Sequence, residues 1–464
     1  MAEESTQVGA RASRAARGTA TSNFGVSRRE SHDASGFYGR FEPPVLDDDD
    51  TVLAPEPVAE PFVCGDARNM DTLADGTVAL VVTSPPYFAG KQYEEELERD
   101  GVPSSYLEYL DLLHDVFAEC VRVLEPGGRI AVNVANLGRK PYRSLAADVI
   151  HILQDQLGLL LRGEVVWQKG AGASGSCAWG SFRSPSNPVL RDVTERVIVA
   201  SKGRFQRALT VEQRRQRGLP HEATIATEDF MALTLDVWQT PTESARRVGH
   251  PAPFPVELPE KLIELYTFAD DLVLDPFMGS GSTLVAASRL GRRYVGYDLD
   301  PGYVELARAR VEDEGHPVEL TESRLVGSKD RVEQVLTAAG FELEAEPNVR
   351  VKGTGLVVHQ VATDRTGGRW VIELGGPFVR HRGGLTSTEA VWRMLGRAHV
   401  LRGAGERVLV LTSELPKRRT EFDQAVRVAG PEAFHDVIDV FDPDALERLE
   451  RYAAGETEQL TGYW

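Results

Sequence analysis

Between about residues 60 and 300 the chain carries seven short apolar runs separated by helical stretches and turns, and this alternation constrains the fold more than any other feature. The runs are Phe62-Val63-Cys64, Val78 to Val82, Arg129 to Val134, Gly163 to Trp167, Glu195 to Ala200, Leu272 to Asp275 and Arg293 to Asp298. Apolar residues at helical spacing fill Tyr106 to Leu124, Leu145 to Leu157 and about Ser282 to Leu290. Such alternation predicts an α/β fold with a doubly wound, mostly parallel, seven-stranded sheet. Function in these sheets collects at the carboxyl ends of the strands. Asp66, Ser84, Asn133, Asp275 and Asp298 all fall there.

Two of these strand ends carry distinctive chemistry. The run before Thr83-Ser84-Pro85-Pro86-Tyr87 is stopped by two prolines, which cannot donate to a sheet ladder. The carbonyls of Ser84 and Pro85 are then held stiffly beside a hydroxyl and an aromatic ring. That is a rigid set of acceptors with a stacking platform, and it suits an exocyclic amine on a planar base. The second strand end opens Asp275-Pro276-Phe277-Met278-Gly279-Ser280-Gly281-Ser282-Thr283. Its glycines let backbone approach a ligand, and the helix that follows offers free N–H groups to a carboxylate. Asp275 suits an ammonium group, so together they describe an amino-acid ligand such as the methionine part of S-adenosylmethionine. Asp298 ends the next strand, where an acidic residue commonly accepts from ribose hydroxyls. A tight turn with no ligand is the plainer reading of a lone glycine pair. The loop has neither the lysine of a Walker loop nor the full dinucleotide glycine pattern.

The chain of 464 residues has room for two or three domains, and its net charge of −18 argues against a generic nucleic-acid coat. Cys64, Cys120 and Cys177 show neither disulfide nor metal spacing, and no metal site is expected. No apolar run reaches the roughly 18 residues of a membrane span. There is no apolar signal segment near the start, so a cytoplasmic protein without a membrane partner is expected. Residues 1–35 read as a disordered tail. Asp47 to Asp50 read as a solvated face or linker. From about 168 to 248 the strand pattern gives way to Gly, Ser and Arg-rich sequence, with Arg204, Arg207, Arg214, Arg215 and Arg217 clustered there. Contact with phosphates or guanine edges and a solvated helix face explain that cluster equally well. Arg139, Lys140 and Arg143 follow the strand that bears Asn133, and phosphate contact is expected of them.

These residues resemble the amino-methylating DNA methyltransferases, which act on cytosine N4 or adenine N6 of double-stranded DNA with S-adenosyl-L-methionine as cofactor. The match runs from about Phe37 to Arg310. Its anchors are Gly65-Asp66, Thr83 to Tyr87, His250-Pro251-Ala252-Pro253-Phe254-Pro255, Asp275 to Thr283 and Gly296-Tyr297-Asp298. With the proline turn ahead of the glycine loop, the order looks like the circularly permuted beta group. The resemblance implies a methyltransferase domain over 36–325, a target-recognition insert near 168–248 and an accessory α/β domain over 326–464. It implies Ser84, Pro85, Pro86 and Tyr87 as the catalytic turn. The cofactor site would use Asp275, Phe277, Gly279, Ser280, Gly281, Ser282 and Thr283, with Asp298 at the ribose and Asp66 near the adenine. His250 and Phe254 would flank the methionine end, although a structural histidine before a proline turn accounts for His250 equally well. In this family Ser at the first turn position is typical of cytosine-N4 enzymes and Asp of adenine-N6 enzymes, so cytosine N4 is expected here and adenine N6 is the alternative. A restriction or defence partner protein is a further expectation.

The missing covalent route agrees with this chemistry. Carbon-5 methylation of cytosine needs a cysteine nucleophile, typically after a proline, and Val63, Glu119 and Ser176 precede the three cysteines here. The element order after residue 330, with Val371-Ile372-Glu373-Leu374-Gly375, weakly resembles a PD-(D/E)XK nuclease core. Gly375 stands where that family would want lysine, and His359 and Gln360 stand where it would want an acid. A degenerate domain is therefore expected, with a cleaving domain of a bifunctional restriction protein as the alternative.

Overall fold

The computed structural model describes residues 45–55, 58–86, 105–136, 142–169, 180–243, 254–316, 328–345, 347–376, 378 and 383–458. The first sheet is built from β1 (Phe62–Cys64), β2 (Val78–Thr83), β3 (Leu124–Val134), β4 (Leu160–Lys169), β5 (Thr194–Ser201), β6 (Val237–Thr240), β7 (Leu272–Asp275) and β8 (Arg293–Asp298). Their order is β1-β8-β7-β2-β3-β5-β4-β6. Pairing is parallel except at β3/β5 and β5/β4. The mostly parallel expectation holds, but the sheet has eight strands rather than seven. The extra strand, β6, lies in the stretch read as irregular and pairs parallel with β4, Trp167 opposite Trp238. Its four residues are too few for periodicity to reveal.

Residues of one strand alternate between two apolar layers, as a sheet covered on both faces requires. Val78, Val81, Ile130, Val132 and Leu274 pack with helix α1 (Tyr106–Val123) and helix α2 (Leu145–Ile150) on one face. Leu80, Val82, Ala131 and Val273 pack on the other face. That face is covered by Leu233 and by α5 (Glu257–Tyr266), α6 (Ser282–Arg289) and α7 (Pro301–Glu314), which carry most of the apolar contact. The short helices α3 (Val211–Gln216) and α4 (Thr227–Leu233) sit in the 168–248 stretch. Among the described residues no helix is long and apolar enough to cross a membrane.

A second sheet, of five strands, follows helix α8 (Ser328–Ala339). It contains β9 (Glu342–Leu343), β12 (Gln360–Thr363), β13 (Arg369–Leu374), β14 (Val408–Thr412) and β15 (Asp436–Asp439). The hairpin β10 (Val349–Arg350) and β11 (Val357–Val358) stands apart from it. Helices α9 (Thr388–Gly403), α10 (Glu421–Ala433) and α11 (Pro443–Ala453) complete the second layer system. Glu373 on β13 is buried and paired with Arg397 of α9, Nε to Oε1 2.5 Å and Nη2 to Oε2 3.0 Å.

Candidate active site

The proline turn and the glycine loop meet where the winding of the sheet reverses. From β2 the chain moves one way to β3, and from β7 it moves the other way to β8, while β2 and β7 are themselves neighbours, Val81 opposite Leu274. A crevice outside the strand ends at such a switch point is where open α/β sheets bind ligands.

Asp275 ties the two segments together. Thr83 donates its hydroxyl to Oδ1 at 2.7 Å, the Phe277 N–H donates to the same oxygen at 3.1 Å, and Thr283 donates to Oδ2 at 2.7 Å. The residue has no exposed surface, and burial pushes its carboxyl up to about 6, against the lowering effect of these donors. The expected ammonium acceptor is thus first a brace between β2, β7 and α6. An ammonium at the loop would add to bonds already made. No cationic side chain is among the groups that set its titration.

The loop itself is held from β8. Tyr297 accepts the Met278 N–H at 3.0 Å, and Asp298 Oδ2 accepts the Gly279 N–H at 3.0 Å. Gly281 adopts φ +78°, and a Cβ there would lie 2.8 Å from the Cβ of Ala307. It begins α6, whose N-terminus has no side-chain cap. The hydroxyls expected to face a cofactor turn inward instead. Ser280 accepts from Arg310 Nη1 at 3.1 Å, Ser282 donates to the Phe254 carbonyl at 2.9 Å, and Thr283 serves Asp275. Phe254 is 8% exposed and packs in the core with residues of α6. Phe277 is half-buried.

Asp298 is half-buried, its Oδ1 accepts the Asp300 N–H at 2.9 Å, and burial raises its carboxyl above the ordinary range. Asp66 follows β1 directly beside it, with the Gly65 N–H donating to the Asp298 carbonyl at 3.0 Å. Arg68 pairs with Asp66 at 2.6 Å and holds its carboxyl below the usual range. Asp66, Asp298 and Asp275 stand on consecutive strands, a row about 10 Å long at ordinary strand spacing. An uncapped helix end for a carboxylate, a buried carboxylate held by neutral donors, and two further acids along the row fit S-adenosylmethionine.

Ser84 is half-buried and lies beside Asn133 on β3. Asn133 Nδ2 is 3.4 Å from Ser84 Oγ and 2.6 Å from Glu195 Oε2. Glu195 Oε1 in turn pairs with Lys169 Nζ at 2.7 Å. Counting carboxyl strand ends cannot find Glu195 from sequence, because β5 runs antiparallel and brings its amino end to this edge. A charged residue opening an otherwise apolar run is the signal it left.

The arginine cluster sits elsewhere. Arg207 and Arg214 are buried against Glu125 and Asp271, Arg207 Nη1 lying 3.0 Å from Asp271 Oδ2 and Arg214 Nη2 3.1 Å from Glu125 Oε1. Both guanidiniums also lie over the Phe268 ring. The expected DNA contacts for Arg207 and Arg214 are therefore corrected: they neutralise carboxylates at the amino ends of β3 and β7, opposite the turn. Arg204 follows β5 at that same edge and donates to the Asp49 carbonyl at 2.6 Å. Arg215 pairs with Glu212 at 3.2 Å, and Arg217 ends the same short helix. Arg143 lies near the exit of β3, exposed and paired with Asp148. Tyr87, Arg139, Lys140, Cys177 and His250 lie outside the described residues.

Residues 78–309 match the N6_N4_Mtase family, described as DNA methylase. The type II methyltransferase M.MthZI of Methanothermobacter thermautotrophicus is 29% identical over 270 residues, covering 53% of this chain and 75% of that protein. The DNA adenine methyltransferase YhdJ of Escherichia coli is 24% identical over 271 residues, covering 56% of this chain and 84% of that protein. The structure of TTHA0409 from Thermus thermophilus, complexed with S-adenosyl-L-methionine, is 32% identical with a TM-score of 0.40, covering 54% of this chain and 92% of that one. The family match spans half of the chain and takes in both the proline turn and the glycine loop: the protein belongs to the N6/N4 DNA methylase family and is an S-adenosylmethionine-dependent DNA methyltransferase that methylates exocyclic amines.

Proposed function

We propose that the protein methylates the N4 amine of a cytosine flipped out of double-stranded DNA. The observation that carries this reading is the hydroxyl of Ser84, not a carboxylate, at the head of the proline turn and one strand away from the glycine loop. When bound, S-adenosylmethionine supplies an electrophilic methyl group. The chain's own residues prepare the amine. Its lone pair is delocalised into the ring, which makes it a poor nucleophile. Acceptance of its two N–H hydrogens by Ser84 Oγ and the Pro85 carbonyl favours a pyramidal nitrogen with its lone pair aimed along the transfer line. The base must leave the stack to reach this depth, and Tyr87 stacks on it, a contact of about 1–3 kcal/mol in comparable single-strand sites.

Within this reading, Asp275 and the α6 N-terminus hold the methionine end of the cofactor, Asp298 its ribose and Asp66 the side of its adenine. Arg143 contacts phosphate. Adenine N6 is the second reading, favoured by the similarity to YhdJ. Digesting methylated DNA to nucleosides and separating them by mass spectrometry decides between the two. N4-methylcytosine supports the first, and N6-methyladenine overturns it. For residues 326–464 we propose an accessory role without cleavage. The support is the Arg397 guanidinium, which occupies the Glu373 carboxylate that a metal would need. We also propose a type II restriction context with a restriction or defence partner protein; the similarity to M.MthZI, a type II methyltransferase, supports the context.

A further inference from the structure

We propose that Glu195 is a positioning residue that fixes Ser84 as a hydrogen-bond acceptor, acting through Asn133. This rests on the reading of Ser84 as the acceptor of the target amine.

The argument starts from the orientation of the Asn133 amide. Glu195 is 6% exposed, and Lys169 Nζ lies 2.7 Å from Oε1, so the carboxylate is ion-paired. An ionised carboxylate only accepts hydrogen bonds. The Asn133 atom 2.6 Å from Oε2 must therefore be the NH₂ nitrogen, and the amide cannot be turned over without placing oxygen against oxygen. With one N–H committed to Glu195, the other points to Ser84 Oγ at 3.4 Å. The Ser84 oxygen thus receives a donor from the protein on one side, and its hydroxyl hydrogen is directed away from Asn133. A hydroxyl oxygen carries two lone pairs, and this donor engages one of them. If Asn133 were flipped, its carbonyl would claim the Ser84 hydroxyl hydrogen and the oxygen would no longer be fixed in this way.

The register supports the same assignment. Asn133 on β3 stands opposite Val197 on β5, and Glu195 lies two residues along β5 on the same face. Trp167 on β4 stands opposite Glu195, and Lys169 lies two residues along from it. The polar chain from Lys169 to Ser84 therefore crosses β4, β5, β3 and the turn after β2 on adjacent rigid strands. Asn133 is 2% exposed, which shields the orienting bond from water.

The test is a double-mutant cycle on the single-turnover methyl-transfer rate of the full chain, with S-adenosylhomocysteine affinity measured alongside. Glu195→Asp keeps the charge and the Lys169 pair but withdraws one methylene from Asn133. We expect it to lower the rate about 10- to 100-fold, the scale of a small misplacement at a reacting centre, with cofactor affinity within about twofold. In the Ser84→Ala background the same change should have almost no further effect, because the group it positions is gone. A wild-type rate in Glu195→Asp overturns the proposal. So does a loss that multiplies with that of Ser84→Ala, or one that tracks cofactor affinity or folded fraction. A wild-type rate in Ser84→Ala alone refutes instead the reading on which the proposal rests.

Discussion

Asp275→Asn separates the brace the structure shows from the cofactor-binding role proposed for this carboxylate. The side chain is fully buried with its titration raised from the ordinary 3.8 to about 6. Keeping it ionised at neutral pH therefore costs the fold about 3 kcal/mol relative to its protonated form. Asparagine has the same shape. Its carbonyl can keep the bonds from Thr83 and the Phe277 N–H, and its NH₂ can donate to Thr283 Oγ1. The Thr283 hydroxyl hydrogen then has the Val82 carbonyl at 3.3 Å as its acceptor. The hydrogen-bond count survives and the buried charge disappears. We expect the cofactor-free variant to be about 1–3 kcal/mol more stable than wild type at a pH of about 7.5. The sign with pH follows from a folded-state value above the unfolded one. The cost is fully present above about 6 and vanishes below 3.8, so wild type and variant converge as pH falls between these values.

The assay is calorimetric melting of the transition that S-adenosylhomocysteine raises, which picks out the part of the chain that binds it. A gain of this size moves a transition of about 150–250 residues by about 2–4 °C per kcal/mol. Cofactor affinity should move the opposite way. An ammonium beside Asp275 favours the ionised form, so wild-type affinity should weaken on acidification through about 6 while the variant binds weakly at every pH. If Asp275→Asn melts lower than wild type near neutral pH, the buried charge is stabilised by something other than the groups named, and the reasoning fails. If cofactor affinity is unchanged, Asp275 is a brace only.

Further outcomes follow from the same geometry. Ser84→Ala should lower methyl-transfer turnover by about 100-fold, with S-adenosylhomocysteine affinity unchanged by titration calorimetry. Gly281→Ala places a methyl against Ala307 at a φ that favours glycine, and should weaken cofactor binding and lower the melting temperature together. Glu125→Gln removes the shared partner of Arg207 and Arg214, leaving buried guanidiniums undercompensated, and should destabilise by about 3–5 kcal/mol in urea unfolding. Arg214→Ala should leave the salt dependence of DNA binding, measured on the folded fraction, unaltered, because that side chain is 1% exposed.

The parallel strands and the two motifs were legible because they are written in local chemistry: apolar runs ended by Pro-Pro at 85–86 or by Asp275 and its glycines. The row of Asp66, Asp298 and Asp275 could be read from strand ends alone, since parallel strands bring those ends to one edge. What could not be read is whatever depends on strand direction or partners. Glu195 opens an antiparallel strand, so its start belongs to the functional edge although the carboxyl-end rule passes over it. The arginines at 207 and 214 looked like solvent-facing cations because their partners, Glu125 and Asp271, lie 82 and 64 residues away for Arg207. Ser280, Ser282 and Thr283 looked like ligand contacts because sequence gives a hydroxyl but not its rotamer. The fold uses all three to hold the loop.

The two edges of the sheet divide the electrostatic work, and this explains why so many cations in an acidic chain are unavailable to DNA. At the amino ends of β3 and β7, two carboxylates and two guanidiniums are brought together out of water over one aromatic ring. The two carboxylates pair with the two guanidiniums, so breaking one pair there leaves a buried charge undercompensated. At the carboxyl ends the opposite holds. Asp275 and Asp298 keep carboxyls raised by burial, with hydroxyl and N–H donors as their partners rather than a cation, and α6 begins without a side-chain cap. Those are standing costs that an isolated fold would not select. On the proposed cofactor reading, a zwitterion that brings an ammonium and a carboxylate to the same edge would offset them. On that reading, part of the stability that burial of Asp275 costs is returned as cofactor affinity, so Asp275→Asn should shift the two in opposite directions.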